Sequence, residues 1–200
     1  PNFTFEIQTT FGFDVGGGIL DADPAVIIND AMTNTQYGIL GVSLGDLTQY
    51  SNYCVANGIF LSPYLDTQAP AHQFITNLML MTNSEVVWSE GVLKVVPYGD
   101  TTITGNGVTF TPNITPIYDL TDDAFDVHKQ AGVDPVIVSR IAPSDVYNWW
   151  QVRYNNRAKD YNPDIGEAKA QGHIEKYGLR PAPIDDFPAI CTTVVSKQVA

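Results

Sequence analysis

Lysine and arginine are missing from the first 93 residues, which hold nine acids, while residues 94–200 carry all ten bases against thirteen acids. The two stretches therefore contribute −9 and −3 to the net charge of −12. Binding nucleic acid by phosphate neutralisation needs a basic face, so that class is excluded. Cysteine is equally scarce. Cys54 and Cys191 are too few and too far apart in sequence to form a disulfide framework or a zinc site. No apolar run reaches the ~18 residues of a membrane span, and no charged-then-apolar signal segment opens the chain. Charged residues make up only 16% of the chain, against about 25% in an average soluble domain. A surface so poor in charge suits coverage by neighbouring subunits, and a secreted or merely low-charge monomer shares the composition.

What is present is a well-supplied core. Aromatics at 11% within a 44% hydrophobic chain offset the entropy of ordering one or two compact domains. The start at Pro1 rather than Met suits a processed product or an excised piece. Alternation of Phe3, Phe5 and Ile7 against Thr4, Glu6 and Gln8 predicts a strand, broken by Gly16, Gly17 and Gly18. Asp23 followed by Pro24 reads as a cap and first residue of a short helix carrying Val26, Ile27, Asp30 and Met32. A second helix begins near Ser43 or Asp46, carries Leu47, Tyr50, Tyr53 and Cys54, and stops at Asn57-Gly58. A third follows Gln68 with Pro70 in its first turn, presenting Phe74, Ile75, Leu78 and Met79.

The run from Glu85 to Pro97 reads as a hairpin about Ser89-Glu90-Gly91, with Ile59 to Leu61 as a further strand. Residues 99–116, rich in Gly, Thr and Pro, read as a loop or irregular hairpin joining two parts. Beyond it, Ile117 to Leu120, Val136 to Ser139 and Val146 to Tyr154 suit strands, and Asp164 to Tyr177 suits a helix ended by Gly178. In the last of those strands Val146, Asn148, Trp150, Val152 and Tyr154 share one face, and Tyr147, Trp149, Gln151 and Arg153 the other. Both faces carry bulk, so both are expected to be covered, the second by its own domain or by a neighbour. Trp149, Gln151 and Arg153 are therefore the candidate subunit interface.

Motifs that carry chemistry are weak. Gly41 to Gly45 matches G-x-S-x-G, with Ser43 as nucleophile, Asp119, Asp122 or Asp123 as acid and His128 or His173 as base. Ile39-Leu40 is too short for the strand that such a turn terminates, and Ser43 also reads as a helix cap. Asp119 to Asp126 gathers four acids without calcium-loop spacing. His72, His128 and His173 stand alone, so no metal site is assigned. Gly16 to Gly18 lacks the residues of a phosphate loop. Tyr147, Trp149, Trp150, Tyr154 and Tyr161 could stack on sugar or pack in a core. No catalytic residue and no cofactor are assigned.

The block DPAVIINDAMTNTQYGILG, a helix containing YSNYC, then DTQAPAHQFITNLMLMTNSEVVWSEGVLKVVP, and finally SRIAPSDVYNWWQVRYNNRAKDYNPD with EKYGLRPAP, resembles the tail-tip hub proteins of long-tailed bacteriophages. This is the lambda-type tip attachment and "putative phage tail protein" family, found also in gene transfer agents. The likeness runs over roughly residues 20–183, and Asn148, Val152, Tyr154, Arg157, Tyr161, Asn162 and Pro163 fall on its pattern. Trp149 departs from it, and residues 99–116 and 184–200 carry little of it.

The resemblance implies a virion structural protein at the distal end of the tail and not an enzyme. It implies a homotrimer that closes the tail tube, contacts distal tail, tube and fibre elements, and opens to release DNA. It also implies a longer parent polypeptide. The expected fold is α+β: an N-terminal α/β lobe over 1–98, a connecting loop over 99–116, and a β-rich, tail-tube-like barrel portion with a C-terminal helix over 117–200. The base-free first 93 residues are expected to line the DNA conduit, repelling the polyanion. A carbohydrate- or receptor-binding module is the alternative class, and a serine hydrolase the third.

Overall fold

The computed structural model describes residues 12–14, 20–35, 38, 41–64, 70–116, 118–121, 124–125 and 137–200. Two short strands, β1 (Gly12–Asp14) and β2 (Leu20–Ala22), pair antiparallel and lead into helix α1 (Pro24–Thr33). The Asp23 carboxylate accepts from the Ala25 N–H at 2.9 Å, and Pro24 supplies a preset φ where no donor is needed. Met32 faces inward as one of the residues named from the sequence, and Ile28 rather than Ile27 joins it.

Helix α2 (Thr48–Asn57) starts where Asp46 accepts from the Thr48 N–H and hydroxyl at 2.9 and 2.6 Å. It ends at Gly58, whose φ of 70° closes the left-handed cap. Its buried residues Tyr50, Tyr53, Cys54, Val55 and Ala56 form the centre of the molecule. Helix α3 (Ala71–Met81) sets Leu78, Met79 and Met81 against them, and the Tyr50 hydroxyl meets Thr82 Oγ1 at 3.0 Å.

Strands β3 (Ser84–Ser89) and β4 (Val92–Pro97) form the expected hairpin. Glu90 and Gly91 both take positive φ, 56° and 76°, the two-residue turn whose twist matches that of its strands. Leu61 bridges Ala22 rather than forming a strand of its own.

The 99–116 stretch is not simply a connecting loop. It contains a second hairpin, β5 (Ile103–Gly105) and β6 (Val108–Phe110), turning on Asn106-Gly107 and seated on α2. Asn106 Nδ2 donates to the Val55 carbonyl at 2.8 Å, a second bond to an acceptor that also takes the Gly58 N–H at 3.0 Å at the end of α2. Phe110 meets the Tyr53 ring edge-on at 5.1 Å.

Strands β7 (Trp149–Asn156) and β8 (Asn162–Lys169) pair over their full length, and β9 (Asp185–Asp186) adds in parallel, giving the order β8-β7-β9. No closed barrel forms among the described residues. Only Gln171–Tyr177 of the predicted 164–177 helix is helical (α4), while Asn162–Lys169 is a strand. The correction has a packing cause. Helix α5 (Thr193–Val199) lies over β8 so closely that a side chain at Gly166 would collide with Ser196. Residues 118–120 and 137–139, both read as strand, pair with nothing among the described residues, and most of the expected strand at 1–13 lies outside them.

One core runs through α1, α2, α3, β4 and β6 and continues into Val152, Tyr154, Phe187, Ile190 and Val195. Gly105 marks a close approach within it, since any Cβ there would strike the Ala56 carbonyl. Gly105→Ala should therefore lower unfolding stability by about 2 kcal/mol, read as a shift in urea midpoint at unchanged slope.

Candidate functional site

The polar residues on the family pattern gather at the two ends of the β7–β8 hairpin. At the start of β7, Asn148 is fully buried. Its Oδ1 accepts from the Arg180 N–H at 2.7 Å, and its Nδ2 donates to the Gly178 carbonyl at 2.7 Å and lies 3.3 Å from His173 Nδ1. This side chain, one residue ahead of β7, acts as a second backbone, holding the segment after α4 beside the strand. His173, a candidate base on paper, is thus engaged by Asn148 and by the Tyr177 ring at 4.6 Å.

At the far end Asn156 does similar work. Its Oδ1 accepts from the Ala158 N–H at 3.0 Å, and its Nδ2 donates to Asp164 Oδ2 at 2.8 Å and to the Tyr154 hydroxyl at 3.1 Å. Tyr154, buried in the core, also meets Thr193 Oγ1 at 2.8 Å. Asn162 Nδ2 donates to the Lys159 carbonyl at 2.7 Å, and Lys159 Nζ reaches Asp164 at 2.8 Å. Lys159 first, then Asn156 and the Ile165 N–H, hold the Asp164 carboxyl well below the usual carboxylate range.

From this turn Arg157 crosses to the other half of the chain. Its guanidinium grips Asp21 with both terminal nitrogens, Nη2 closely on Oδ1 and Nη1 at 3.2 Å from Oδ2. Asp21 is buried at 1% exposure and receives the Ser62 hydroxyl at 2.5 Å as well. Arg157 Nε donates to the Tyr161 hydroxyl at 3.3 Å, and its backbone N–H to the Cys191 carbonyl at 3.0 Å. Its bond to Asp21 raises the guanidinium above its ordinary value, so the cation is permanent. Sequence reasoning found Arg157 and Tyr161 but missed Asp21 and Ser62. The available signal was the base-free first half, because an acid buried there must take its counter-ion from beyond residue 93.

Trp149, Gln151 and Arg153 share the outer face of β7, as the alternation requires, with Val152 and Tyr154 inward. Trp149 Nε1 donates to Glu167 at 3.0 Å, with Lys169 Nζ 4.6 Å above its ring. Arg153 pairs with Asp186 at 3.4 Å. Pro163 stands opposite Asn155 on β8. The five aromatics proposed for sugar stacking do not act together, since Tyr154 is buried while Tyr147 and Tyr161 are exposed.

Ser43 is exposed and its carbonyl accepts from the Leu93 N–H at 2.8 Å. Its neighbour Leu44 bridges Leu93, and the next helix starts only at Thr48, so the sharp strand-to-helix turn of a hydrolase nucleophile is not built here. His128, Asp122, Asp123, Asp126 and Gly16 to Gly18 lie outside the described residues. No group of three metal-ligating side chains occurs among those described, and no described helix is long and apolar enough to cross a membrane. Of the acids expected to line a conduit, Asp21 and Asp23 are buried and hydrogen-bonded, so they cannot do so.

The model of the family described as "putative phage tail protein" matches residues 70–200, more than half of the chain. The chain belongs to this family of phage tail proteins. Its role is therefore structural, within the virion tail and among other tail proteins. A search of curated proteins returns no match. The family match differs in span from the resemblance read from the sequence: it starts at residue 70 rather than near 20, and it includes 184–200, where β9 and α5 complete the β7–β8 sheet.

Two outcomes follow from this tail protein's polar ends. Asp21→Asn leaves Arg157 as an uncompensated, largely buried cation and should cost about 3 kcal/mol in urea unfolding, with Arg157→Lys, which loses the two-nitrogen grip, costing less. Acid should act through Asp164. Its folded-state value lies below the unfolded one of about 3.9, so its contribution is complete above that pH and is lost as the pH falls toward the folded value. The urea midpoint should fall on acidification below about pH 4, and Asp164→Asn should flatten that part of the profile.

Proposed function

We propose that this tail protein is a subunit of the tail tip, a baseplate hub in which three copies close the distal end of the tube, link it to host-binding elements and gate DNA ejection. The observation that carries the reading is the stretch between β6 and β7. Ile114, Tyr118, Leu120, Ile137, Val138 and Ile141 are all strongly exposed there, and its described residues hold no strand. Apart from single turns such as Pro143–Asp145, those described residues form no regular element, and exposed stretches of that kind are usually functional. A chain that builds a continuous core elsewhere leaves such side chains outside when neighbours cover them.

The tip, as opposed to another level of the tail, is supported by the ordered blocks between residues 20 and 98 that resemble hub proteins. Net charge of −12 suits a conduit wall to which DNA does not adhere. No residue is given a catalytic role.

Trp149, with Gln151 and Arg153 beside it, is the contact assigned to the sheet face. Light scattering across a concentration series should give the mass of three chains, and Trp149→Asp should give one chain at unchanged melting temperature. Loss of folding in that variant would make the face core rather than interface. A native monomer that binds glycans would replace the hub with the receptor-binding module.

A further inference from the structure

Two unpaired pieces of this chain complement each other. The first is the outer edge of β3. One side of that strand pairs with β4, and the other carries no strand among the described residues. It has neither lysine nor proline to discourage pairing, and Val87 and Trp88 are exposed on it at 42% and 60%. Its single charge is Glu85, which holds only the Tyr98 hydroxyl at 3.2 Å on the surface.

The second piece is Ile137-Val138-Ser139-Arg140-Ile141. Its β-branched residues suit a strand, yet Ile137, Val138 and Ile141 are exposed at 84%, 75% and 74% and no ladder among the described residues includes them. Its single charge is Arg140, exposed and without an ion pair among the described residues. Prolines at 135 and 143 bracket the segment.

We infer that residues 137–141 of one copy add as a strand to the β3 edge of a second copy, antiparallel, with Arg140 opposite Glu85, Val138 opposite Val87 and Ile137 opposite Trp88. All three pairings fall in one register. Arg140 and Val138 then share a face, as Glu85 and Val87 do, and Ile137 joins Trp88 on the opposite one. Donor and acceptor surfaces differ, so the contact is heterologous and repeats around a ring. The inference rests on the trimeric hub and names its contact.

Two variants mixed together test it, one carrying Val87→Cys and the other Val138→Cys; native Cys54 and Cys191 are buried. Oxidation should yield a cross-linked pair of chains, and Ser139→Cys in place of Val138→Cys should yield far less. Arg140→Glu or Glu85→Arg should each raise the concentration at which the chain associates by about threefold or more, and combining them should restore it to within about twofold. Both positions are exposed, so melting temperatures should not move.

A native trimer that neither cross-links nor responds to the charge changes overturns this pairing and leaves the hub standing. An internal disulfide in a single chain carrying both cysteines, without a rise in mass, assigns the segment to its own β3. A native chain that stays monomeric at every concentration overturns the hub and this contact together.

Discussion

The buried pair between Asp21 and Arg157 is the constraint on which the arrangement of the two halves depends. Asp21 comes from a stretch that holds no cation, so its carboxylate can be buried only against a base delivered from the other end of the sequence. The base arrives on the turn between β7 and β8, whose position is fixed by Asn156 and by the backbone bond from Arg157 to Cys191. Ser62 shares the same carboxylate, and the Ala22 to Leu61 bridge lies alongside. Three distant parts of the sequence thus meet at one group. A buried ion pair of this kind is weak evidence for net stability, because desolvation consumes much of the attraction. Its effect is on alternatives: any packing that separates Asp21 from Arg157 strands a charge in the interior.

The hairpin that carries Arg157 is itself held by two asparagines, each using both amide ends against backbone or fixed side chains. Asn148 holds the segment after α4 and Asn156 the tight turn, while Val152 and Tyr154 between them enter the core. An aspartate at either place could not donate, and an aliphatic residue could do neither. With both ends fixed and the inner face buried, the outer face carrying Trp149, Gln151 and Arg153 is rigid before any partner arrives.

Much of the local structure was legible because it is written in short-range chemistry. Asp23-Pro24, Asn57-Gly58 and Glu90-Gly91 fix a helix start, a helix end and a hairpin turn through capping and positive φ, and all three stand where they were read. The mixed α+β class followed from them. Residues 164–169 were misread because their strand state comes from pairing with β7 and from α5 lying against Gly166, neither of which has a local signature. The hairpin at 103–110 was half visible, since Asn106-Gly107 is a turn signal, but its seat on α2 depends on the Val55 carbonyl. Within the site, the alternation along β7 separated Val152 and Tyr154, which are buried, from Arg153, which is exposed. Asp21 and Ser62 were illegible as a pair because their link to Arg157 spans the whole fold.

The base-free first half also bears on how a tail protein of this composition tolerates its neighbours. Of its described acids, Glu85, Glu90 and Asp46 are exposed, Glu90 pairing with Lys94 and Asp46 capping α2, while Asp21 and Asp23 are inside. With two of its acids inside, the described part of that stretch presents uncharged and apolar surface between its exposed carboxylates. Close packing against such a surface costs little desolvation of charge. Low charge density and a negative sum are thus separate properties of the sequence: the first lowers the desolvation cost of a close contact with another tail protein, and the second disfavours adhesion of a polyanion.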